Sequence, residues 1–307
     1  MNSLELCNYL EKIRYGRNIS QDDFVDGVVS IRQYQRYKSG VSVIPYEKIS
    51  QFAEKLGLTS KKLQSEFEKE KSKQYVKINA FYNAVANNDY KNAVKLKNEL
   101  DNDRIISSEG RQYYNHANIV YKYYSKELSL PEVIERVSKL INYPSILKQQ
   151  YYTDVEVLIL SFLLGVFKGN QQDMLLQRLN SIFEDADNIM SGDSDYIYTL
   201  ILMRIAKIHG IKKDYPRVIY FCELGIDRGI IHKQYYLWEY FYYFKSLSHY
   251  ALGQKDLYED SLLKCYHVLQ MEGNYSKIEK FTNLIEGDFN INYREFVFNK
   301  INPKSNR

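Results

Sequence analysis

The chain has 307 residues, a formal net charge of +4, 45% hydrophobic residues and 26% charged residues, which is a soluble globular composition and excludes fibrous and disordered classes. Thirty Tyr and 14 Phe stand against only 5 Pro and 14 Gly, so breakers are few and long helices are favoured. So mild a charge permits nucleic-acid contact without demanding it, and any case for DNA has to be local.

The first predicted helix carries Leu4, Leu10 and Ile13 on one stripe and stops near Gly16. Charges interrupt its apolar stretch, so it does not read as a signal peptide. Ser20 is placed to cap a short helix that opens on Gln21, with Asp22 and Asp23 at its positive end. Gly27 supplies the tight turn. Ser30 caps the next helix, in which Ile31, Tyr34 and Tyr37 are expected to face inward and Arg32, Gln33 and Arg36 outward. Gly40 ends it, and Pro45 opens a fourth helix with Ile49, Phe52, Ala53 and Leu56 inward, closed by Gly57.

Between Ile31 and Ile44 the chain carries Arg32, Arg36 and Lys38 and no acid. Arg and Gln read guanine and adenine edges in the major groove, whereas Lys and helix N-termini hold phosphates. The candidate DNA-binding residues are therefore Gln21, Ser30, Arg32, Gln33, Arg36 and Lys38. Ile19-Ser20-Gln21, Gly27, Ser30, Tyr34, Tyr37, Gly40 and Leu56-Gly57-Leu58 resemble the Cro/C1-type helix-turn-helix, whose second helix enters the major groove. One departure stands out. Lys38 occupies the place usually held by an acid, which puts a contact within the domain in question.

Lys61 to Lys73 reads as a charge-dense, solvated connecting helix. Beyond it Tyr90, Leu130, Gln172, Tyr215 and Leu257 recur roughly every 42 residues, each following one helical run and opening another. Single hairpins cannot bury their apolar faces, so about five of them should stack, with a terminal helix near Tyr275 to Glu286. Val155 to Phe167 is the most apolar run, too short to span a bilayer and expected as a buried helix. Cys7, Cys222 and Cys265 lack CxxC spacing and read as buried hydrophobes of a reducing compartment.

The phrases NNDYKNAVKLKNEL and ALGQKDLYEDSLLKCY resemble tetratricopeptide repeats, although the spacing exceeds the usual ~34 residues. In such repeats the inner wall lies roughly 15, 12 and 8 residues before the junction residue. Counting back gives Asn115, Asn118 and Lys122 before Leu130, Lys207 before Tyr215, and Tyr242, Lys245 and His249 before Leu257. Asn amides can pair with a peptide backbone, and Lys with a carboxylate. The aromatic run Tyr235 to Phe244 reads as core. No catalytic motif, cofactor signature or metal-ligand spacing emerges, and the five His are scattered.

The expected fold class is all-α: a Cro/C1-type helix-turn-helix domain over residues 1–60, a helical linker over 61–73, and a right-handed solenoid of tetratricopeptide-like hairpins over 74–307. That domain order resembles the RNPP-type peptide-responsive regulators of Gram-positive bacteria. The resemblance implies a cytoplasmic, homodimeric, non-enzymatic transcription regulator without a cofactor. It implies binding of near-palindromic double-stranded DNA and of a short signalling peptide in the concave groove of the repeats, with no membrane partner. The alternatives are a phage- or plasmid-type repressor without a peptide ligand, and a protein-binding scaffold.

Overall fold

The computed structural model describes residues 2–184, 188–190 and 195–302. Its fold is all-α, with sixteen α-helices among the described residues, and the chain divides into two compact units, Met1–Leu140 and Ile141–Arg307.

The first unit opens with α1 (Ser3–Gly16), α2 (Gln21–Val25), α3 (Ile31–Lys38) and α4 (Tyr46–Lys55). Each start has a local cause. Asn2 caps α1 by accepting from the Leu4 N–H at 3.0 Å, Ser20 caps α2 through Asp23, and Ser30 caps α3 through Gln33 at 3.2 Å. The turn between α2 and α3 needs the left-handed backbone of Gly27, at φ 71°. Phe24, Tyr34 and Phe52 pack ring against ring at 5.1 to 5.9 Å, over a floor of Leu6, Leu10 and Leu56.

Helix α5 (Ser60–Ala86) runs without a break through the charge-dense stretch, and its Leu63 and Phe67 are buried. They join the same core as Tyr9 of α1 and Ile106, with the Tyr9 and Phe67 rings 5.5 Å apart. Helix α1 is thus covered on two sides, and every residue from Glu5 to Glu11 is buried. That burial explains why the stripe of Leu4, Leu10 and Ile13 describes α1 poorly: Leu6, Cys7 and Leu10 are the most buried apolar residues, and Leu4 and Ile13 are only half-buried.

Antiparallel pairs follow: α5 with α6 (Tyr90–Asp101) and α7 (Ser108–Tyr124) with α8 (Leu130–Leu140) in the first unit. The second unit has α9 (Asp154–Val166) with α10 (Asn170–Glu184), α11 (Asp195–Ile211) with α12 (Tyr215–His232), and α13 (Trp238–Ala251) with α14 (Lys255–Glu272). Five hairpins were expected and five are observed. A left-handed residue ends the first helix of each: Asn88, Lys126, Gly169, Lys213 and Gly253. The apolar run is α9, buried nearly all round and opened by a capping box between Thr153 and Glu156.

A pair of short strands and one helix were not expected. Tyr152–Thr153 pairs in parallel with Ile189–Met190, and α15 (Tyr275–Phe289) is followed by a further helix, α16 (Tyr293–Ile301). Tyr293 anchors α16 by donating its hydroxyl to the Leu262 carbonyl at 2.7 Å.

Helices α12 and α13 approach closely because Gly225 and Gly229 share one face of α12. A Cβ at Gly225 would lie 2.3 Å from the Phe241 ring, and one at Gly229 would lie 2.4 Å from Trp238 Nε1. Replacing Gly225→Ala is therefore expected to destabilise the protein by about 1–3 kcal/mol, overriding the better helix propensity of Ala. Gly287→Ala in α15, where nothing lies within 4 Å, should instead stabilise by about 0.5–1 kcal/mol. Urea unfolding midpoints of the two variants check the contrast; a gain at Gly225 would refute the close-packing account.

Candidate DNA-reading helix and repeat-helix faces

On α3 the buried edge is Tyr34 and Tyr37, and the exposed edge is Ile31, Arg32, Gln35 and Arg36. Ile31 corrects the sequence expectation: it is 46% exposed, because the first residue of the helix lies outside the contact with α2 and α4. Gln33 is half-buried, and its N–H is taken by the Ser30 cap. Gln35 was missed. Its Nε2 donates to Gln21 Oε1 at 3.2 Å, joining the middle of α3 to the start of α2 through side chains. Its position three residues after Arg32 was the available signal. Gln21 Nε2 is shielded from solvent and has no hydrogen-bond partner.

Lys38 also corrects the expectation. It faces the domain interior, where its Nζ lies 2.9 Å from Glu11 Oε2. Glu11 of α1 is 1% exposed and accepts in addition from Arg14 Nε at 2.9 Å and from the Tyr34 hydroxyl at 3.0 Å. A phosphate contact by Lys38 would break this pair and leave the buried carboxylate to Arg14 and Tyr34 alone. The usual acid on α3 is thus replaced by a base, and its partner on α1 is an acid.

Burial alone would raise the Glu11 carboxyl, but hydrogen bonds from Arg14, Lys38 and Tyr34 outweigh it and hold the group down at about 2. Burial and the Glu11 charge push the Tyr34 phenol up, so it stays a donor. Burial likewise raises the thiols of Cys7, to about 12, and of Cys222 and Cys265; all three are free and buried, as expected.

In the repeats Asn115, Asn118 and Lys122 share one face of α7. Asn115 is exposed, and Asn118 Oδ1 is shielded from solvent with no hydrogen-bond partner. In the second unit Lys207 is exposed on α11, and Lys245 of α13 pairs with Glu223 of α12 at 2.9 Å. Tyr242 is half-buried with its ring 6.1 Å from that of Trp238. His249 differs from expectation. It is buried and its Nδ1 lies 2.6 Å from Gln254 Oε1, so it stabilises the α13–α14 turn. His209 does the same before α12, between Asp214 at 3.1 Å and Asn180 at 3.0 Å.

The turns explain the error at His249. The left-handed residue precedes the first helical residue by two positions at Asn88 and Lys213, but Leu257 lies four positions after Gly253. Lys255 is the equivalent of Tyr90 and Tyr215. A two-residue slip turns a helix by about 200°, which moves a count from one face to the other.

No family model matches this sequence, and no curated protein matches it either. Solved structures do. PlcR of Bacillus thuringiensis in complex with the peptide PapR7 and DNA superposes with a TM-score of 0.51 at 17% identity, covering 91% of this chain and 99% of that one. ComR of S. thermophilus in complex with DNA and its signalling peptide ComS gives 0.57 at 14% identity, covering 92% and 99%. A transcriptional regulator from Listeria monocytogenes EGD-e, itself assigned only provisionally, gives 0.52 at 11%, covering 93% and 97%. The chain shares the all-α fold of these solved regulators. Identities this low establish the fold, and what those proteins bind is a property of theirs.

The Glu11 cluster has a defined pH signature. Its folded value near 2 lies below the ordinary carboxylate value, so it contributes stability above about pH 4.5 that is lost as pH falls toward 2. The loss should amount to about 2–3 kcal/mol. Glu11→Gln should be less stable at pH 7 and show a flatter acid limb; urea midpoints from pH 7 to 2.5 measure both, and parallel limbs would refute the assignment.

Proposed function

We propose that the chain is a cytoplasmic, homodimeric transcription regulator that reads duplex DNA through α3 and is tuned by a short peptide bound to its repeat helices. The observation that carries the reading is the exposed edge of α3. Arg32, Gln35 and Arg36 project from a capped helix of a helix-turn-helix, with no acid among them. Arg and Gln are the residues that form two-pronged hydrogen bonds to base edges. Ser30 and Gln21, at the starts of α3 and α2, are placed for phosphates. Lys38 has no part in this, because Glu11 already holds it.

The fold supports the peptide half of the reading, since PlcR and ComR share it and were both solved with peptide and DNA. On this chain the supporting feature is α7, where Asn118 presents a carbonyl oxygen without a partner between Asn115 and Lys122. Rotation of the half-buried Asn118 amide toward the surface would let a peptide N–H satisfy that oxygen, and Lys122 would attract a carboxylate. Lys207, counted from Tyr215 at the true start of α12, is the corresponding candidate in the second unit; Tyr242 and Lys245 share the slipped count of His249. No helix among the described residues is long and apolar enough to cross a membrane. A dimer would place two copies of α3 on two half-sites, so the operator should be near-palindromic.

Selection of duplexes from a randomised pool by the full chain tests the reading. Wild type should enrich an inverted repeat. Arg32→Ala and Arg36→Ala should each weaken binding to it by about 1–3 kcal/mol and relax preference at one base per half-site. Failure to enrich any duplex, or unchanged binding by both variants, would sink the DNA half. Calorimetry of the enriched complex with peptides selected by display tests the other half. Failure to obtain any binding peptide favours a repressor without a peptide ligand.

A further inference from the structure

Helix α1 is gripped at both ends, and its two grips connect the parts of the first unit that the proposed function needs to connect. Near its start, Glu5 reaches out of the helix-turn-helix to the first turn of α7. The Ser108 N–H and hydroxyl both donate to Glu5 Oε1, at 2.8 and 2.9 Å, and Lys71 Nζ of α5 lies 3.3 Å from Oε2. Ser108 is the first residue of α7, so its N–H has no acceptor within the helix, and a carboxylate there also meets the positive end of the helix dipole. Glu5 is 7% exposed.

The loop that leads into α7 is held the same way. Lys12 of α1 bridges Glu70 and Asp103, each at 2.7 Å. Gln74 of α5 donates to the Arg104 carbonyl and accepts from the Ile106 N–H, each at 2.9 Å. Near the other end of α1, Glu11 binds Tyr34 and Lys38 of α3. Between the two grips α1 is buried all round, and a helix packed on every side moves as a body rather than bending.

We propose that Glu5 is a positioning residue for the DNA-reading helix: it couples the first turn of α7 to α1, and through α1 and Glu11 to α3. Helix α7 is the one that carries Asn115, Asn118 and Lys122. A ligand that shifts α7 therefore has a direct lever on α3 that involves no free linker. The role given to α3 rests on the DNA reading above; the mechanical link does not.

Native-state amide hydrogen exchange on the full chain tests it. A plain helix cap would, when removed, speed exchange only in the first turn of α7. In Glu5→Ala we expect exchange to rise at least fivefold both at Ser108–Arg111 and across Tyr34–Lys38 of α3, with Phe52–Lys55 of α4 unchanged. Glu5→Gln keeps an acceptor oxygen and should restore most of the protection in α3. Faster exchange confined to α7, or spread evenly over the whole unit, overturns the proposal. Should Glu5→Ala fail to fold, Ser108→Ala removes only the hydroxyl donor and should give the same pattern at two- to threefold; an unchanged α3 then overturns it. If wild type enriches no duplex while exchange in α3 responds, the DNA reading fails and the link stands.

Discussion

Everything in the first unit depends on how α1 satisfies its buried polar groups. A helix covered on two sides cannot leave charges in water, and burying one unpaired would cost several kcal/mol. Helix α1 carries Glu5, Asn8, Glu11 and Arg14 in buried positions. Each has a named partner: Ser108 and Lys71 for Glu5, the Ile106 carbonyl for Asn8, and Tyr34, Lys38 and Arg14 for Glu11. Arg14 also donates to the Ile19 carbonyl, fixing the chain as it enters α2. Polar groups with directional partners specify one arrangement where apolar packing alone would accept several. The register of α3 and the start of α7 are both set this way.

Much of this fold was legible from local rules. Ser20, Gly27, Ser30 and Gly40 each act over three or four residues, so the ends of α2 and α3 follow from the sequence alone. The apolar run that became α9 and the five hairpins were legible for a similar reason, since an unbroken hydrophobic run and a recurring turn need no knowledge of partners. The double burial of α1 was not, because Ile106 and Ser108, which cover its second side, lie about a hundred residues away in the chain. A charged residue facing a distant partner has the same sequence appearance as one facing water. Lys38 shows the difficulty: it belongs to a run without acids, and its acid lies on another helix.

The repeat helices show a different limit. The period was visible, but a period fixes where hairpins begin only to within a residue or two. Faces of a helix change with every residue, so an error harmless to the fold is fatal to a list of wall residues. The count that ended on His249 started from Leu257, while the turn places the junction at Lys255. Asn88, Lys126, Lys213 and Gly253 each close the same backbone bond, from the following N–H to the carbonyl five residues earlier, yet α8 opens four residues after Lys126 where α6, α12 and α14 open after two, so the turns do not fix a wall position by counting either. Gly alone would have signalled this conformation; Asn and Lys in the left-handed region carry little sequence signal.

A net charge of +4 now has a structural meaning. Of the cations near α3, Lys38 is neutralised by Glu11, and Arg14 is held by the same carboxylate. That leaves Arg32 and Arg36 on the exposed edge, joined by the neutral Gln35. The two guanidinium groups of α3 alone give little salt-dependent attraction to a phosphate backbone, which normally needs several cations. Affinity from one copy would therefore be low and would depend on base contacts more than on charge. Pairing two copies on one duplex raises the effective concentration of the second module, so useful affinity becomes conditional on their relative placement. On the proposed function, a reader built that way would be sensitive to small movements of α3, and the seat of α3 on Glu11 would carry such movements to the DNA.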